Sequence, residues 1–327
     1  MSRPAQHTGD AEGGRPPWAG ATDSGASAAG AASAGSAETR PTESADPRSP
    51  GAADPRSPGA ADAPARNEAT PTRELVLDRI SHHYVTDAGN VVHAVEETSL
   101  QIPAGQFVCV VGPSGCGKTT LLKMLAGFLA PSGGEARYGS EVITGPSHQR
   151  GVVFQQANLY PWLTIRGNVE LGPRFRRVPR RERAERTDRL LEMVGLPQFA
   201  GAKPYELSGG MQQRAQIARV LANQPDVVLM DEPFGALDAL TRERLQADLL
   251  RIQRQRRQTV FFITHSVEEA VFLGDRVLVM SPRPGRIVLD ERVDLASTYG
   301  PEVGAEMKST PEFIEIRDRV AGAIQVG

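Results

Sequence analysis

The stretch that most restricts what this chain can become is Phe107-Val-Cys-Val-Val111, followed by Gly112-Pro-Ser-Gly-Cys-Gly-Lys-Thr119 and Thr120-Leu-Leu-Lys-Met-Leu-Ala126. Five apolar residues ending at glycine predict a parallel strand buried on both faces, since a half-exposed strand would alternate with polar residues. The leucines after the loop recur at helical spacing. Strand, glycine-rich loop and helix in that order point to the α/β class. The loop matches G-x-x-x-x-G-K-[ST], and the spacing has a reason: glycines let backbone N–H groups turn inward around phosphate oxygens, beside the positive end of a helix. Lys118 can reach β- and γ-phosphates, and the Thr119 hydroxyl can ligate Mg2+. Gly112, Pro113, Ser114, Gly115, Cys116, Gly117 and Thr120 complete the candidate nucleotide-binding set. Cys116 sits near a helix start, where a thiol pKa can fall, but it reads as a small residue tolerated at a free loop position.

Two more apolar runs end in chemistry. Val227-Val-Leu-Met230 runs into Asp231-Glu232-Pro233. An acid at a core strand's end can hold Mg2+ opposite Thr119, and Glu232 beside it would face an attacking water as general base. Thr259-Val-Phe-Phe-Ile263 ends in Thr264-His265-Ser266. His265 thus falls at a strand's carboxyl end, where open α/β sheets bind ligands. Leu75-Val-Leu-Asp-Arg-Ile80 and residues 91–95 and 98–102 read as three short strands.

Composition splits the chain. Residues 1–70 hold 9 Gly, 9 Pro, 19 Ala and 8 Ser, and no Leu, Ile, Val, Phe or Tyr precedes Leu75. Such a stretch has too little apolar surface to offset the entropy of ordering. A disordered tail is therefore expected over residues 1–72, with a tandem octapeptide, Ala45-Asp-Pro-Arg-Ser-Pro-Gly-Ala52, repeated at once. The 37 Lys+Arg against 39 Asp+Glu give a net charge of −2, which argues against an electrostatic grip on nucleic acid. Two cysteines exclude a disulfide framework and fit a reducing compartment. No apolar run approaches the length of a membrane span, and no secretory signal is visible.

Leu207-Ser-Gly-Gly-Met-Gln-Gln-Arg214 gives the chain a family likeness. Here the sequence resembles the ATP-binding subunits of ABC transporters, and their other motifs follow in order. Tyr84 matches the adenine-stacking aromatic, and Gln155 the glutamine that couples nucleotide to the membrane partner. Ala236-Leu-Asp238 matches the loop at the dimer interface, and His265 the histidine at the γ-phosphate. The resemblance implies a P-loop NTPase fold of ABC type, over 73–295, with an antiparallel β-subdomain and an α-helical subdomain near 157–225. It implies a head-to-tail homodimer with two ATP molecules between subunits, each facing Ser208, Gly209 and Gly210 of the other chain. Glu232, His265, Gln155 and Lys118 would carry hydrolysis, and Thr119, Gln155 and Asp231 would hold Mg2+.

The expected partners are an integral-membrane permease and a solute-binding protein, not nucleic acid, which places the chain on the cytoplasmic face of the membrane as a peripheral subunit. Leu159-Tyr-Pro-Trp-Leu-Thr164 would offer the permease an aromatic surface. The seven arginines of 174–186 interleave with Glu182 and Glu185 and read as a solvated helix. Pro161-Trp-Leu-Thr164, Asp231-Glu-Pro-Phe-Gly-Ala-Leu-Asp-Ala-Leu-Thr241 and Ser281-Pro-Arg-Pro-Gly-Arg286 look like the taurine, sulfonate and nitrate branch. Gly145-Pro146 and Lys308-Ser-Thr-Pro-Glu-Phe313 look most like taurine subunits. Nitrate or another solute, and a soluble ABC ATPase outside transport, are the alternatives. Over 296–327 a C-terminal extension is expected, with Thr310 capping a short helix that turns Phe313, Ile316, Val320 and Ile324 to one side.

Overall fold

The computed structural model describes residues 73–293, 295 and 305–326. The tail expected over 1–72, its octapeptide pair and residues 296–304 of the C-terminal extension lie outside them. A six-stranded sheet forms the centre, in the order β10 (Ile287–Arg292), β9 (Arg276–Met280), β3 (Phe107–Val111), β8 (Thr259–Ile263), β7 (Val227–Asp231) and β6 (Arg150–Val153). The strands from β9 to β6 are parallel, and β10 closes the edge antiparallel to β9. All five residues of β3, β7 and β8 are buried, as their unbroken apolar runs require.

Alternation along these strands feeds two separate cores. Phe107, Cys109 and Val111, with Val228, Met230, Val260 and Phe262, face one side. Val108, Val110, Val227, Leu229, Phe261 and Ile263 face the other, where they meet α1 (Lys118–Ala126) and a second, antiparallel sheet. That sheet has the order β2 (Val91–Ile102), β1 (Leu75–Val85), β4 (Gly133–Tyr138), β5 (Glu141–Val142). Leu121, Leu122, Met124 and Leu125 of α1 are at most 1% exposed, so this helix is sealed between the sheets. Each such side chain stabilises the fold by about 2 kcal/mol.

The opposite core receives α2 (Ile165–Phe175), α3 (Arg180–Met193) and α4 (Gly209–Ala222), then α5 (Ala239–Arg256), α6 (Val267–Leu273) and α7 (Pro311–Val326). Side chains at their starts satisfy open backbone donors: Thr164 accepts from Gly167, Ser208 from Met211, Asp238 from Thr241 and Ser266 from Glu269, each contributing about 1 kcal/mol. In α7, Phe313 and Val320 are buried, and Phe313 N–H donates to Thr310 Oγ1. Two arginines of α3 pair within their own helix, Arg181 with Glu185 at 2.9 Å and Arg186 with Glu182 at 2.5 Å. Arg183, however, reaches Glu170 of α2 at 3.0 Å, and Arg186 is buried and donates to the Ala222 carbonyl, so the helix expected to be solvated is partly packed.

The antiparallel sheet differs from the sequence reading in one respect. Residues 91–95 and 98–102 form one strand, and β1 runs on to Val85. Register shifts near Ile80 and His82, with Arg79 at φ 46°, bend the pair without breaking it. The polar residues between the apolar runs mark irregularities, not strand ends.

Candidate nucleotide site

The phosphate loop is shaped by close backbone packing. Gly117 has φ 100°, and a Cβ there would stand 2.8 Å from Val95 Cγ2 and 2.9 Å from the Ala94 carbonyl. Only glycine fits. Lys118 is 5% exposed, and its ammonium donates to the carbonyls of Gly112 at 2.8 Å and Pro113 at 2.9 Å. It is folded into the loop, a charged donor held by carbonyls that phosphate oxygens can replace. Cys116 is 1% exposed and 3.7 Å from Lys118 Nζ. The free loop position expected for it is thus a buried one, because Gly112, Met280 and Gly285 close around it.

Thr119 Oγ1 donates to Asp231 Oδ2 at 2.9 Å, so the loop and the end of β7 meet as expected. Burial pushes the Asp231 carboxyl above its usual range; the Thr119 bond opposes this, and the Glu232 charge adds to it. Glu232 follows at φ 48°, with its N–H donating to Ile263 of β8 at 3.0 Å. A left-handed residue with a side chain costs about 1 kcal/mol or more, and here it turns the carboxylate across the strand ends. Both oxygens are engaged: Oε2 accepts from Gln155 Nε2 at 3.0 Å, and Oε1 lies 2.5 Å from His265 Nε2. Four sequence-predicted residues are therefore joined in one cluster, Asp231–Glu232 with Gln155 and His265.

Tyr84 ends up 41% exposed on β1, its hydroxyl 3.2 Å from Thr120 Oγ1 and its ring edge-on to His82. Ser208, Gly209 and Gly210 do not join the cluster. They open α4 at the surface, where Ser208 Oγ accepts only from Met211 N–H among the described hydrogen bonds, at 3.4 Å. Asp238 is exposed, and the hydrogen bonds from Thr241 hold its carboxyl below the usual range.

Residue reading missed the support behind His265. Glu269, 9% exposed, accepts from Thr264 Oγ1 and from Gln246 Nε2 of α5. Burial raises its pKa, with those two bonds and the Arg242 and Lys308 charges opposing the rise. Ser266-Val-Glu-Glu269 has the capping-box spacing that could have flagged it. A groove of about 570 Å3 runs along β6, its wall including Phe128, Phe154, Tyr160, Phe175, Arg150 and Arg219; it holds none of the cluster residues, and Phe154 is the chain neighbour of Gln155. Trp162 next to it is 69% exposed and 5.4 Å from the Tyr160 ring. A larger cavity, about 860 Å3 around Tyr138, Asp226 and Arg256, lies at the opposite strand ends and holds none of these groups.

The family profile described as ABC transporter matches residues 95–235, from β2 through the phosphate loop to the end of β7. The taurine import ATP-binding protein TauB of Roseobacter denitrificans is 47% identical over 250 residues, 76% of this chain and 93% of the relative. That of Rhizobium johnstonii is 49% identical over 247 residues, covering 75% and 94%. The chain belongs to the ABC transporter family. It is an ATP-binding cassette subunit, an ATPase coupled to transport. An uncharacterized ABC transporter ATP-binding protein of Methanocaldococcus jannaschii is 46% identical over 237 residues, covering 72% of this chain and 86% of that one. Among solved structures, a dimeric ATP-binding cassette in a post-hydrolysis state bound to ADP and Pi superposes with TM-score 0.61 at 33% identity, over 67% of this chain and 98% of that one. The ABC fold is thereby established for the two sheets and the helices between them.

Proposed function

We propose that this ABC subunit hydrolyses ATP to energise import of a small anionic solute, taurine or another sulfonate, through a separate permease supplied by a solute-binding protein. The observation that carries it is the Glu232 carboxylate held between Gln155 and His265, beside the Thr119–Asp231 pair. The taurine assignment rests on the named relatives, and the importer role on the likeness to them and on the aromatic groove lined by Phe154, next in the chain to Gln155. No helix among the described residues is long and apolar enough to cross a membrane, which suits a peripheral subunit at the cytoplasmic face.

The residues fit Mg2+. The Thr119 hydroxyl, the Asp231 carboxylate and the Gln155 amide oxygen are hard donors, and buried Asp231 would be relieved by a cation. When bound, Mg2+ would neutralise charge on the β- and γ-phosphates. The chain's own groups do the rest. Lys118 and the loop N–H groups hold the phosphates, and Tyr84 offers its ring to adenine. Glu232 takes the proton of the attacking water as its oxygen bonds to phosphorus and the β–γ bridge bond breaks. Both Glu232 oxygens are already engaged, so one of its partners must let go first; His265, half exposed, is placed to turn toward a γ-phosphate. Ser208, Gly209 and Gly210 would complete the site of a second copy, making the active form a homodimer.

The test is ATP hydrolysis by the subunit co-purified with its permease in vesicles, with binding protein added in the presence of taurine, alkanesulfonates or nitrate. Stimulation by taurine or another sulfonate is expected. Stimulation by nitrate alone would move the solute assignment, and a response to no anionic solute would sink the importer reading.

A further inference from the structure

Ser281-Pro-Arg-Pro-Gly-Arg286 lies far from the phosphate loop in the chain. In the fold it is the turn from β9 to β10, and it leans on the phosphate loop. The turn closes on itself: Ser281 N–H donates to the Arg286 carbonyl at 2.9 Å, and Arg286 N–H to Ser281 Oγ at 3.2 Å. It is also pinned to β2, since Gly285 N–H donates to Ala94 at 3.1 Å and Glu96 N–H donates to the Gly285 carbonyl at 2.9 Å.

Two of its residues touch the loop through successive carbonyls. Arg283 Nε donates to the Gly115 carbonyl at 3.4 Å. Gly285 packs its Cα against the Cys116 carbonyl so closely that a Cβ there would stand 1.8 Å from that oxygen. Both carbonyls therefore face the turn, away from the loop's interior. In a trans peptide the C=O and the N–H of the next residue point in opposite directions. The N–H groups of Cys116 and Gly117 are thus turned inward. Among the described residues, the Cys116 N–H donates to the Pro113 carbonyl alone, at a long 3.4 Å. Successive inward N–H groups make a concavity for an anion.

We propose that the 281–286 turn is a template that presets the phosphate loop, with Arg283 and Gly285 as its positioning residues. By holding the carbonyls of Gly115 and Cys116 outward, it leaves the N–H groups of Cys116 and Gly117 aimed at phosphate before ATP arrives, so binding needs no rotation of those peptides. The proposal rests on the reading that residues 112–119 hold the ATP phosphates.

Competition titrations on the full chain, with a fluorescent ATP analogue displaced by ATP or by adenosine, test it. Arg283→Ala should weaken ATP about fivefold, the scale of one hydrogen bond, and leave adenosine unchanged. Arg283→Lys keeps a donor and should recover most of the loss. Gly285→Ala forces a methyl into the Cys116 carbonyl and should weaken ATP by about 30-fold. Thermal unfolding shows whether that variant folds; if it does not, Arg283 carries the test. Lys118→Ala separates the two readings. If it loses ATP while Arg283→Ala binds as the parent does, the template is overturned and the phosphate-loop reading stands. Equal losses for ATP and adenosine in Arg283→Ala, or no recovery with lysine, would also overturn the template. Normal ATP binding by Lys118→Ala would overturn the phosphate-loop reading itself.

Discussion

The starts of α1 and α4 are both glycine-bearing helix N-termini, and they are built in opposite ways. The α1 start is braced on every side: Gly117 lies against β2, Lys118 bonds two loop carbonyls, and Thr119 bonds Asp231. The α4 start is capped by its own Ser208; Ser208 and Gly209 are exposed, and Gly210 lies against the Ala236 carbonyl. Both ends concentrate N–H groups and the positive end of the helix dipole. On the proposed reading, one is complete within a single chain and the other is half of a site that a second copy would complete. The difference teaches where each half's energy lies. Binding of nucleotide can be set by α1 alone, whereas turnover would need a second copy to bring α4.

Replacing Glu232, held between Gln155 and His265, should have the largest effect. Glu232→Gln keeps the shape and can still meet Gln155 and His265, but it cannot accept a proton. Hydrolysis should fall by about 1,000-fold, with ATP binding intact and an ATP-bound dimer accumulating on gel filtration. Near-normal turnover would remove Glu232 from the role of base. Next in size, the two helix starts should separate cleanly. Lys118→Ala should weaken ATP binding by about 100-fold in the isolated chain, since it removes a charged donor to phosphate. Ser208→Asp retains the cap but places a negative charge where a partner's γ-phosphate would face it. It should leave nucleotide affinity of the isolated chain unchanged and lower hydrolysis by about 100-fold. Loss of affinity in Ser208→Asp would break the division between a complete and an incomplete site.

How much of this was legible in the sequence follows from how local each feature is. The apolar runs of β3, β7 and β8, and the loop after β3, are contiguous in the chain, so period and punctuation sufficed. Thr310 and Pro311 announced α7 for the same reason. The joining of Gln155, Glu232 and His265 depends on strands β6, β7 and β8 lying side by side; the strand-end positions of Glu232 and His265 pointed to a shared site, but only the likeness to a family brought in Gln155. The bend in β1 was hidden because a bulge places polar residues inside a strand, where they read as its end. The burial of Cys116 and the seat of the phosphate loop on Arg283 and Gly285 depend on residues about 170 positions away. Nothing in the loop's own pattern signals them.

The smallest effect sharpens the comparison at the third strand end. The phosphate loop is backed by backbone and glycine, which do not titrate, whereas the segment that carries His265 is held through Thr264 by the buried carboxyl of Glu269. Burial raises that pKa in the folded state above its ordinary value. A raised folded pKa means the native state holds the proton more tightly than the unfolded chain. The resulting stability is fully present below the unfolded value, and it is lost as pH rises through the folded value. Glu269→Gln stays neutral at every pH and can keep one acceptor for Gln246 or Thr264. Urea midpoints of the parent, compared with those of Glu269→Gln, should therefore stand highest in acid and lose ground toward neutral pH. The Thr264–His265–Ser266 segment should loosen in step, seen as faster amide exchange in the parent at neutral pH than in the variant. A difference between the two proteins that does not change with pH would show that Glu269 carries no burial cost, and that the His265 strand end is as indifferent to protons as the phosphate loop.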